Sequence, residues 1–379
     1  MDPTVVAAWI AAGVSVLTLV GTLAAQYFGR RLTARDADRA FAEQREQLDR
    51  TLDAQGRQLD RTLDGQRTRT WNERFATAAE QLGNDKPAVR LAGVYSMAGL
   101  ADDWSENRQT CVDVLCAYLR MPYDPGSPQD PLMLQASREV RHTITRIITA
   151  HLLRDALVSW RGLKFDFTGA VFDTGGFRGA VFSDSWVYFT NARFSAGTVD
   201  FGEARFSGAQ VDFFGAQFDG GTVNFSHAEF SAGWVGFRDA QFSAGTVDFN
   251  FAEFSGGGVD FGGAEFSDGL VDFGAAKFST GWVSFADAHF SGGTVRFGTA
   301  DISGGAAYIP AQFNGGLIDF SGAEFSGGRV DFDGALFSGA KVDFHAPLDW
   351  SSPPIFPWTD APPKGVQLPD TRDALVSRL

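Results

Sequence analysis

The stretch VDFGGAEFSDGL, residues 259–270, is one 12-residue unit of a repeat that fills the second half of the chain. Its two phenylalanines, Phe261 and Phe266, belong to a register that runs from Phe167 to Phe344. The spacing in this register is first five residues and then alternates between seven and five, with one residue lost between Ile309 and Phe313, beside Pro310. Of the 31 register positions 29 are Phe, and the two exceptions are Ile302 and Ile309. Such self-similarity at a fixed period predicts a repeat architecture.

A small apolar residue, usually Val or Ala, stands two positions before each register phenylalanine, as Val247 does before Phe249. Residues i and i+2 of an extended segment face the same side, so both point inward. Each half-unit is then one short strand. Two of the 12-residue units, about 24 residues together, are needed for a four-sided turn around a Phe-filled core, and this is a repeat length typical of solenoids. The expected core includes Phe201, Phe206, Phe249, Phe254, Phe261 and Phe266. A glycine supplies the positive φ at the longer corner, and the residues concerned are Gly197, Gly221, Gly245, Gly269 and Gly293.

Segments such as FGGAEF, residues 261–266, resemble pentapeptide-repeat proteins, whose unit is Ala-Asp/Asn-Leu/Phe-x-x. The resemblance covers roughly residues 163–346 and implies a mainly β fold, a right-handed quadrilateral β-helix or solenoid. This chain departs from the family pattern by alternating five and seven. We therefore expect 20-residue coils only near residues 167–182 and wider coils elsewhere, between seven and eight coils in all. The stretch 74–120 is also similar to the helical leader of membrane-anchored bacterial pentapeptide-repeat proteins, notably actinobacterial ones.

Helices are predicted before the repeats. Between residues 71 and 123, amphipathic segments are separated by stop signals such as Gly83. A further helix, residues 132–159, comes immediately before the repeats and suits a cap on the open edge of the first coil. Its His142 and His151 have no partner that the sequence identifies.

Residues 30–70 are expected to form a charged helical stalk. The segment QLDRTLDAQ, residues 47–55, is nearly repeated at a spacing of 11 by QLDRTLDGQ, residues 58–66. This period keeps a thin apolar stripe on one side of a helix, and its members are Phe41, Leu48, Leu52, Leu59 and Leu63. The pattern indicates either a solvated juxtamembrane spacer or a short parallel coiled coil.

The N-terminal residues 4–28 predict a membrane-spanning helix. No residue between Asp2 and Arg30 is charged, and a helix of this length, roughly 37 Å, can cross a hydrocarbon core of ~30 Å. Because no Lys or Arg precedes the apolar run, an uncleaved anchor is favoured over a signal peptide. The basic residues that follow the span predict a short stub outside and residues 30–379 in the cytoplasm, on a single-pass protein of the inner (plasma) membrane; they are Arg30, Arg31, Arg35 and Arg39.

The predicted organisation therefore has five parts. They are a transmembrane anchor at 1–29, a stalk at 30–70, a small α-helical domain capping the solenoid at 71–160, the pentapeptide-repeat β-helix at 161–346, and a Pro-rich tail at 347–379. In the tail, the first residues are expected to close the last coil with aromatic rings, and those from Pro362 onward to be mobile.

The acidity of the chain is concentrated in the repeats. Residues 162–346 carry a net charge of −13, whereas the rest of the chain carries −1. The register predicts one aligned row containing Asp200, Asp248 and Asp272, with Asn224 among them, and a second row on the opposite side; that row contains Asp212, Asp260 and Asp331. These six aspartates form the candidate interaction surface. Some soluble pentapeptide-repeat proteins occupy the DNA-binding groove of type II topoisomerases, so the resemblance raises acidic mimicry of DNA as an alternative. The other interpretation is that outward acids keep the solenoid soluble.

An enzymatic function is not indicated. The Ser, Asp and His residues of the repeats occupy outward positions with no matched base or nucleophile, and no phosphate-binding loop, dinucleotide motif or metal cluster is present. Cys111 and Cys116 lack the ligand spacing of a zinc site and are expected to be buried, reduced thiols. We therefore expect no catalytic residue, cofactor, metal or nucleic-acid partner, and a non-catalytic protein-binding or scaffolding role. A homodimer through the span, the stalk or the solenoid end is an open alternative.

Overall fold

The computed structural model describes residues 2–125 and 131–369. The chain divides into two compact units, one ending at Asn72 and the other beginning at Glu73. Residues 126–130, before α4, and the last ten residues of the tail lie outside the described residues. So do the side chains of Arg30, Arg31, Arg35 and Phe41.

The first unit consists of most of one long helix, α1 (Pro3–Leu82). Its segment Ala8–Tyr27 has a mean hydropathy of 1.9 and is long and apolar enough to cross a membrane. In the single chain Leu48, Leu52 and Leu59 of the stalk stripe are more than half exposed, and Leu63 is 46% exposed.

The second unit begins with the end of α1 and contains three further α-helices, α2 (Pro87–Asp103), α3 (Arg108–Arg120) and α4 (Pro131–Leu152). A short 3-10 helix, Ser105–Asn107, joins α2 to α3. Helix α4 ends at Leu152, so the predicted extension to Ser159 is wrong. The chain turns there because it must return to the first strand, and the indole of Trp160 stacks on the ring of His151 with centroids 4.0 Å apart.

Short strands fill the remainder. They are β1 (Lys164–Asp166), β2 (Val171–Phe172), β3 (Gly175–Gly176), β4 (Val181–Ser183), β5 (Trp186–Tyr188), β6 (Arg193–Phe194), β7 (Thr198–Asp200), β8 (Arg205–Asp212), β9 (Gln217–Asn224), β10 (Glu229–Gly236), β11 (Gln241–Asp248), β12 (Glu253–Phe254), β13 (Gly258–Asp260), β14 (Glu265–Phe266), β15 (Leu270–Asp272), β16 (Lys277–Phe278), β17 (Trp282–Ser284), β18 (His289–Phe290), β19 (Thr294–Arg296), β20 (Ala306–Tyr308), β21 (Gln312–Phe313), β22 (Leu317–Asp319), β23 (Arg329–Asp331), β24 (Leu336–Phe337), β25 (Lys341–Asp343) and β26 (Val366–Gln367).

These strands build a parallel β-solenoid of about eight turns, which confirms the predicted fold class. Val247 pairs with Val271, so one coil comprises two of the predicted units through most of the solenoid.

The coils at two places are shorter than the regular ones. The prediction of a 20-residue first coil is wrong, because Phe172 pairs with Phe194 and not with Ala192. The fourth side of that coil already contains the longer step, from Phe182 to Phe189. Near Pro310 the coil is one residue shorter than the regular coils, because Phe290 pairs with Phe313 and not with the next residue.

The register phenylalanines form stacked columns inside the solenoid. Phe249, for example, is fully buried and stacks on Phe273 of the next coil with ring centroids 4.8 Å apart. Each column therefore repeats the spacing of the strands themselves, about 4.8 Å. Among the described register phenylalanines, Phe337 near the C-terminal end is the one that is only half-buried. This core holds the four sides of each coil at a fixed register, and in the two coils of β8–β11 each eight-residue strand spans two of those sides.

Two kinds of corner separate the strands. The glycines predicted at the longer corner have positive φ, for example +68° at Gly221. At the shorter corner the N–H of Ala204 donates to the carbonyl of Phe201, and Glu203 between them has φ 58°, which is a type II turn. In the described residues, every non-glycine residue with positive φ lies two positions after a register phenylalanine.

The two ends of the solenoid are covered. At the first coil, Thr149 Oγ1 of α4 donates to the carbonyl of Gly176 at 2.8 Å, and Gln109 Nε2 of α3 donates to the carbonyl of Lys164 at 2.8 Å. At the other end, Trp358 meets Phe337 edge-on with ring centroids 5.3 Å apart. Strand β26 pairs with β25 beyond Pro362, so the prediction of a mobile chain from Pro362 is wrong for the part that the structure describes.

Candidate interaction surfaces

The first aspartate row lies along one face of the solenoid. The register pairs Asp200 with Asn224, Asn224 with Asp248, and Asp248 with Asp272, so these residues occupy equivalent positions in successive coils. The column continues through Arg296, Asp319 and Asp343. The second row lies in the other sheet, where Asp212, Asp260 and Asp331 share a column with Tyr188, Gly236, Ser284 and Tyr308.

In both rows one carboxylate oxygen is engaged in a turn of the backbone. Oδ1 of Asp200 accepts a hydrogen bond from the N–H of Gly202 at 2.8 Å, and Oδ1 of Asp260 accepts one from the N–H of Gly262 at 2.9 Å. The same contact recurs at Asp212, Asp248, Asp272 and Asp331. Each aspartate therefore satisfies the N–H group that opens the short corner, as an Asx turn does. The first role of both rows is therefore structural, because their aspartates complete the backbone turns at the short corners.

Several of the second carboxylate oxygens are paired with cations. Arg296 reaches Oδ2 of Asp272 at 3.2 Å, and Arg329 reaches Oδ2 of Asp331 at 2.7 Å. Asp272 is 7% exposed and Asp331 is 6% exposed, so both are largely withdrawn from solvent. Asp248 and Asp212 have no ion pair among the described residues. Burial raises the pKa of Asp212, although the N–H of Phe214 partly opposes that shift.

A polar cluster joins the helices to the first coil. Asp173, which is 5% exposed, accepts hydrogen bonds from the hydroxyl of Tyr123 at 2.6 Å and from Nε of Arg138 at 2.7 Å. His142 Nε2 lies 3.6 Å from the other carboxylate oxygen. Burial by itself would raise the pKa of Asp173, but its contacts with His142, Tyr123 and Arg138 outweigh burial and hold that pKa well below its usual range.

His142 therefore has an acidic neighbour that the sequence did not identify, although their closest approach of 3.6 Å is longer than a hydrogen bond. His151 has one as well, because its Nε2 lies 3.1 Å from Oδ2 of Asp102. Both partners come from segments distant in the sequence, and no local pattern pointed to them.

A cleft of about 730 Å³ lies beside this cluster, between the helices and the first coil. Three arginines line it. Arg120 forms a salt bridge with Asp166, and Arg141 donates hydrogen bonds to the carbonyls of Leu119 and Val171. Nε and one terminal nitrogen of Arg90 are buried without a hydrogen-bond partner. Two of the three guanidinium groups are thus occupied in holding the helices and the coil together.

The cysteines are buried and free, as expected from the sequence. Burial raises the pKa of Cys116 to about 12 and that of Cys111 to about 11. Among the described residues there is no group of three or more His, Cys, Asp or Glu that could hold a metal ion.

One surface feature was missed in the sequence. All five Trp and Tyr residues of the repeats lie on a single face of the solenoid, in the columns of strands β5, β10, β17 and β20. We call this set the aromatic strip, and its members are Trp186, Tyr188, Trp234, Trp282 and Tyr308. The three tryptophans recur at every fourth unit of the repeat, which is every second coil. This regular interval between the tryptophans is the sequence signal from which the strip could have been predicted.

A scan against protein-family models and searches of curated proteins and of solved structures found no match to this chain. The class of protein therefore rests on the fold. The chain is a parallel β-solenoid whose regular aromatic stacking is consistent with pentapeptide repeats, and this fold fits a pentapeptide-repeat protein.

Proposed function

We propose that this protein is a membrane-anchored, non-catalytic pentapeptide-repeat scaffold that binds another protein through its solenoid. The observation that carries the binding role is the aromatic strip. Trp186, Trp282 and Tyr308 are 48%, 42% and 49% exposed, although exposing a large aromatic side chain to water costs free energy. Aromatic residues are enriched at protein interfaces, and exposed apolar patches commonly mark binding sites.

The anchor is supported by the apolar segment Ala8–Tyr27, of which no part is buried. A 20-residue apolar helix has the length of a membrane span. The arginines that follow it favour a cytoplasmic location for the solenoid. The resemblance of residues 74–120 to the helical leader of membrane-anchored actinobacterial proteins favours the inner membrane of such a bacterium.

The anchor and its orientation can be tested in cells that express the full chain. Alkaline carbonate should leave the protein in the membrane pellet, and Leu17→Arg combined with Leu19→Arg should release it. Ser231 is exposed, so a Ser231→Cys variant should react with a membrane-impermeant maleimide only after lysis. Labelling in intact cells would overturn the cytoplasmic orientation, and release of the unaltered chain by carbonate would overturn the anchor.

The binding role can be tested by cross-linking in the same cells. A protein partner should be captured by the full chain and lost when Trp186→Ala and Trp282→Ala are combined. Phe251 is 56% exposed and lies outside the strip, so Phe251→Ala is the matched control. Equal capture by all three chains would overturn a role for the strip.

Acidic mimicry of duplex DNA is the second candidate, and the alignment of Asp200, Asp248 and Asp272 favours it. The triple change of these residues to Asn tests it cleanly, because an Asn oxygen can accept the same turn hydrogen bond, as Asn224 does from the N–H of Ser226. A mimic should lose a DNA-binding partner after this change and in high salt. Retention of the partner would reject mimicry and leave the scaffold.

A further inference from the structure

The tryptophans of the aromatic strip lie flat against the sheet. A Cβ at Gly236 would overlap the ring of Trp234, and a Cβ at Gly258 would overlap the ring of Trp282. Each indole therefore covers a glycine, one in its own strand and one in the preceding coil. The ring of Trp186 packs against Tyr188 with centroids 6.3 Å apart. The strip consequently presents ring faces, not ring edges, to a partner.

The strip offers indole donors but no backbone groups. The backbone of this face is used in the ladder between coils; the N–H of Trp282, for instance, donates to the carbonyl of Gly257. A partner strand therefore cannot add to it by backbone pairing. The indole N–H groups of Trp186, Trp234 and Trp282 have no hydrogen-bond acceptor among the described residues, unlike the N–H of buried Trp160, which donates to Asp102 at 2.9 Å.

The size of the strip suits a peptide segment better than a second copy of the chain. Trp186 and the strand of Tyr308 are five coil steps apart, roughly 24 Å at a strand spacing near 4.8 Å. A three-residue strand is about 10 Å long, which sets the width of the strip. The strip therefore covers a few hundred Å², well below the ~800 Å² per partner that a stable interface needs.

The spacing of the tryptophans matches one peptide conformation. Their Cα positions recur every second coil, about 9.6 Å, and a polyproline II helix repeats every three residues, about 9.3 Å. Such a helix has no internal hydrogen bonds, so its carbonyls can accept from the free indole N–H groups. Proline-rich segments characteristically dock on aromatic surfaces in this conformation. About eight residues would cover the strip.

The charge beside the strip favours a basic partner. Asp212 lies in the column next to the tryptophans, between Trp186 and Trp234 in height, and has no ion pair among the described residues. Asp260 is the next aspartate of that column, and Arg238 approaches it only to 3.9 Å. A Lys or Arg between the prolines would meet these carboxylates and the faces of the indoles.

We propose that the aromatic strip is the docking site for a proline-rich, basic segment of another protein, bound as a polyproline II helix of about eight residues. This inference rests on the proposed binding function and names the chemistry of its partner. The prolines stack on the indole rings, the indole N–H groups donate to the peptide carbonyls, and Asp212 and Asp260 pair with the basic side chains.

The test is calorimetric titration of the full chain in detergent micelles with a peptide of three Pro-Pro-Arg repeats. We expect saturable binding that weakens at least tenfold in Trp186→Ala and in Trp282→Ala, and that is unchanged in Phe251→Ala. A peptide of three Gly-Gly-Arg repeats has the same charge without the proline rings and should bind at least tenfold more weakly. Gly236→Ala, which keeps every aromatic residue but displaces the ring of Trp234, should also weaken binding. Unaltered circular dichroism of each variant will separate these effects from misfolding.

Four outcomes would overturn the inference. They are equal binding of the two peptides, which would mean charge attraction alone; peptide affinity unchanged by the tryptophan variants; no peptide binding at all; and tryptophan-dependent binding of a soluble β-linked oligosaccharide in place of the peptide. If no peptide binds but cross-linked capture of a protein still depends on Trp186 and Trp282, the polyproline inference fails and the proposed binding function stands.

Discussion

The carboxylate of Asp248 accepts a hydrogen bond at Oδ1 from the backbone N–H of Asn250, at 2.8 Å, across the short corner that follows its strand. Equivalent contacts at the other members of both aspartate rows make this a repeated element of the fold. The acidic composition of the solenoid is therefore in part a consequence of its corners. Each short corner needs a short side chain that accepts a hydrogen bond, one residue before the register phenylalanine.

Asp248→Ala should lower the free energy of unfolding by about 1 kcal/mol, because the N–H of Asn250 loses its acceptor. Asp248→Asn should change it by less than about 0.5 kcal/mol, since the amide oxygen replaces the carboxylate. Denaturant titration of the two variants measures both values. Equal losses in both would mean that the charge, and not the turn hydrogen bond, is what the corner uses.

Phe249→Ala should destabilise the solenoid by about 3–5 kcal/mol, because it removes a fully buried ring and leaves a cavity in a continuous column. The neighbouring Phe251 is 56% exposed at the corner, so Phe251→Ala should change stability by no more than about 0.5 kcal/mol. Thermal unfolding of the pair measures the contrast. A mild effect at Phe249 would contradict a tightly packed core.

Acid should weaken the attachment of the helices to the first coil through Asp173. Because the folded pKa of Asp173 lies well below its unfolded value, its contribution is present above about pH 4 and is lost as the pH falls toward the folded pKa. Asp173→Asn should therefore lower stability at pH 7 and flatten the acid limb of a plot of stability against pH. An acid limb identical to that of the unaltered chain would refute this role.

Asp212 should behave in the opposite sense, because burial raises its folded pKa. Its charge opposes folding at neutral pH, and this cost disappears as the pH falls below the folded pKa. Asp212→Asn should consequently stabilise the protein at pH 7 and give no advantage in acid. The same chemical unfolding series at pH 7 and pH 3 measures the difference, and a loss of stability at pH 7 would contradict it.

Cys111 and Cys116 should be inert to thiol reagents in the folded protein. Burial raises their pKa to about 11 and about 12, so almost no thiolate exists at pH 8. Reaction with a chromogenic disulfide should be undetectable over minutes in buffer and should reveal two thiols in denaturant. Rapid reaction of the folded chain would indicate that α3 opens readily.

The repeats made the architecture predictable because the information is local and redundant. The interval between Phe249 and Phe261 fixes half a coil, and the same interval recurs along the solenoid, so a single irregularity does not disturb the inference. The glycine corners and the shortened coil near Pro310 followed from the same arithmetic. The length of the first coil did not, since a resemblance to strict pentapeptides suggested equal sides.

The candidate surfaces were harder to predict, because the role of an outward residue depends on its neighbours in the coils above and below. The alignment of Asp200 with Asp248 was predictable from the period. Their engagement with backbone N–H groups was not, and neither were the ion pairs such as that between Asp272 and Arg296. The strip was visible in the regular interval of the tryptophans, but the flat orientation of the rings required the positions of Gly236 and Gly258.

The sequence alone thus determined the inward half of this protein: the period, the Phe columns, the parallel coils and the apolar segment near the N-terminus. Hydrophobic burial acts on residue type and spacing, and both are written in the chain. Only the tertiary structure decided the outward half. It determined that α4 ends at Leu152, that Asp173 joins the helices to the first coil, and that Trp282 lies over Gly258. Those features depend on contacts between residues distant in the sequence, whose geometry no local period specifies.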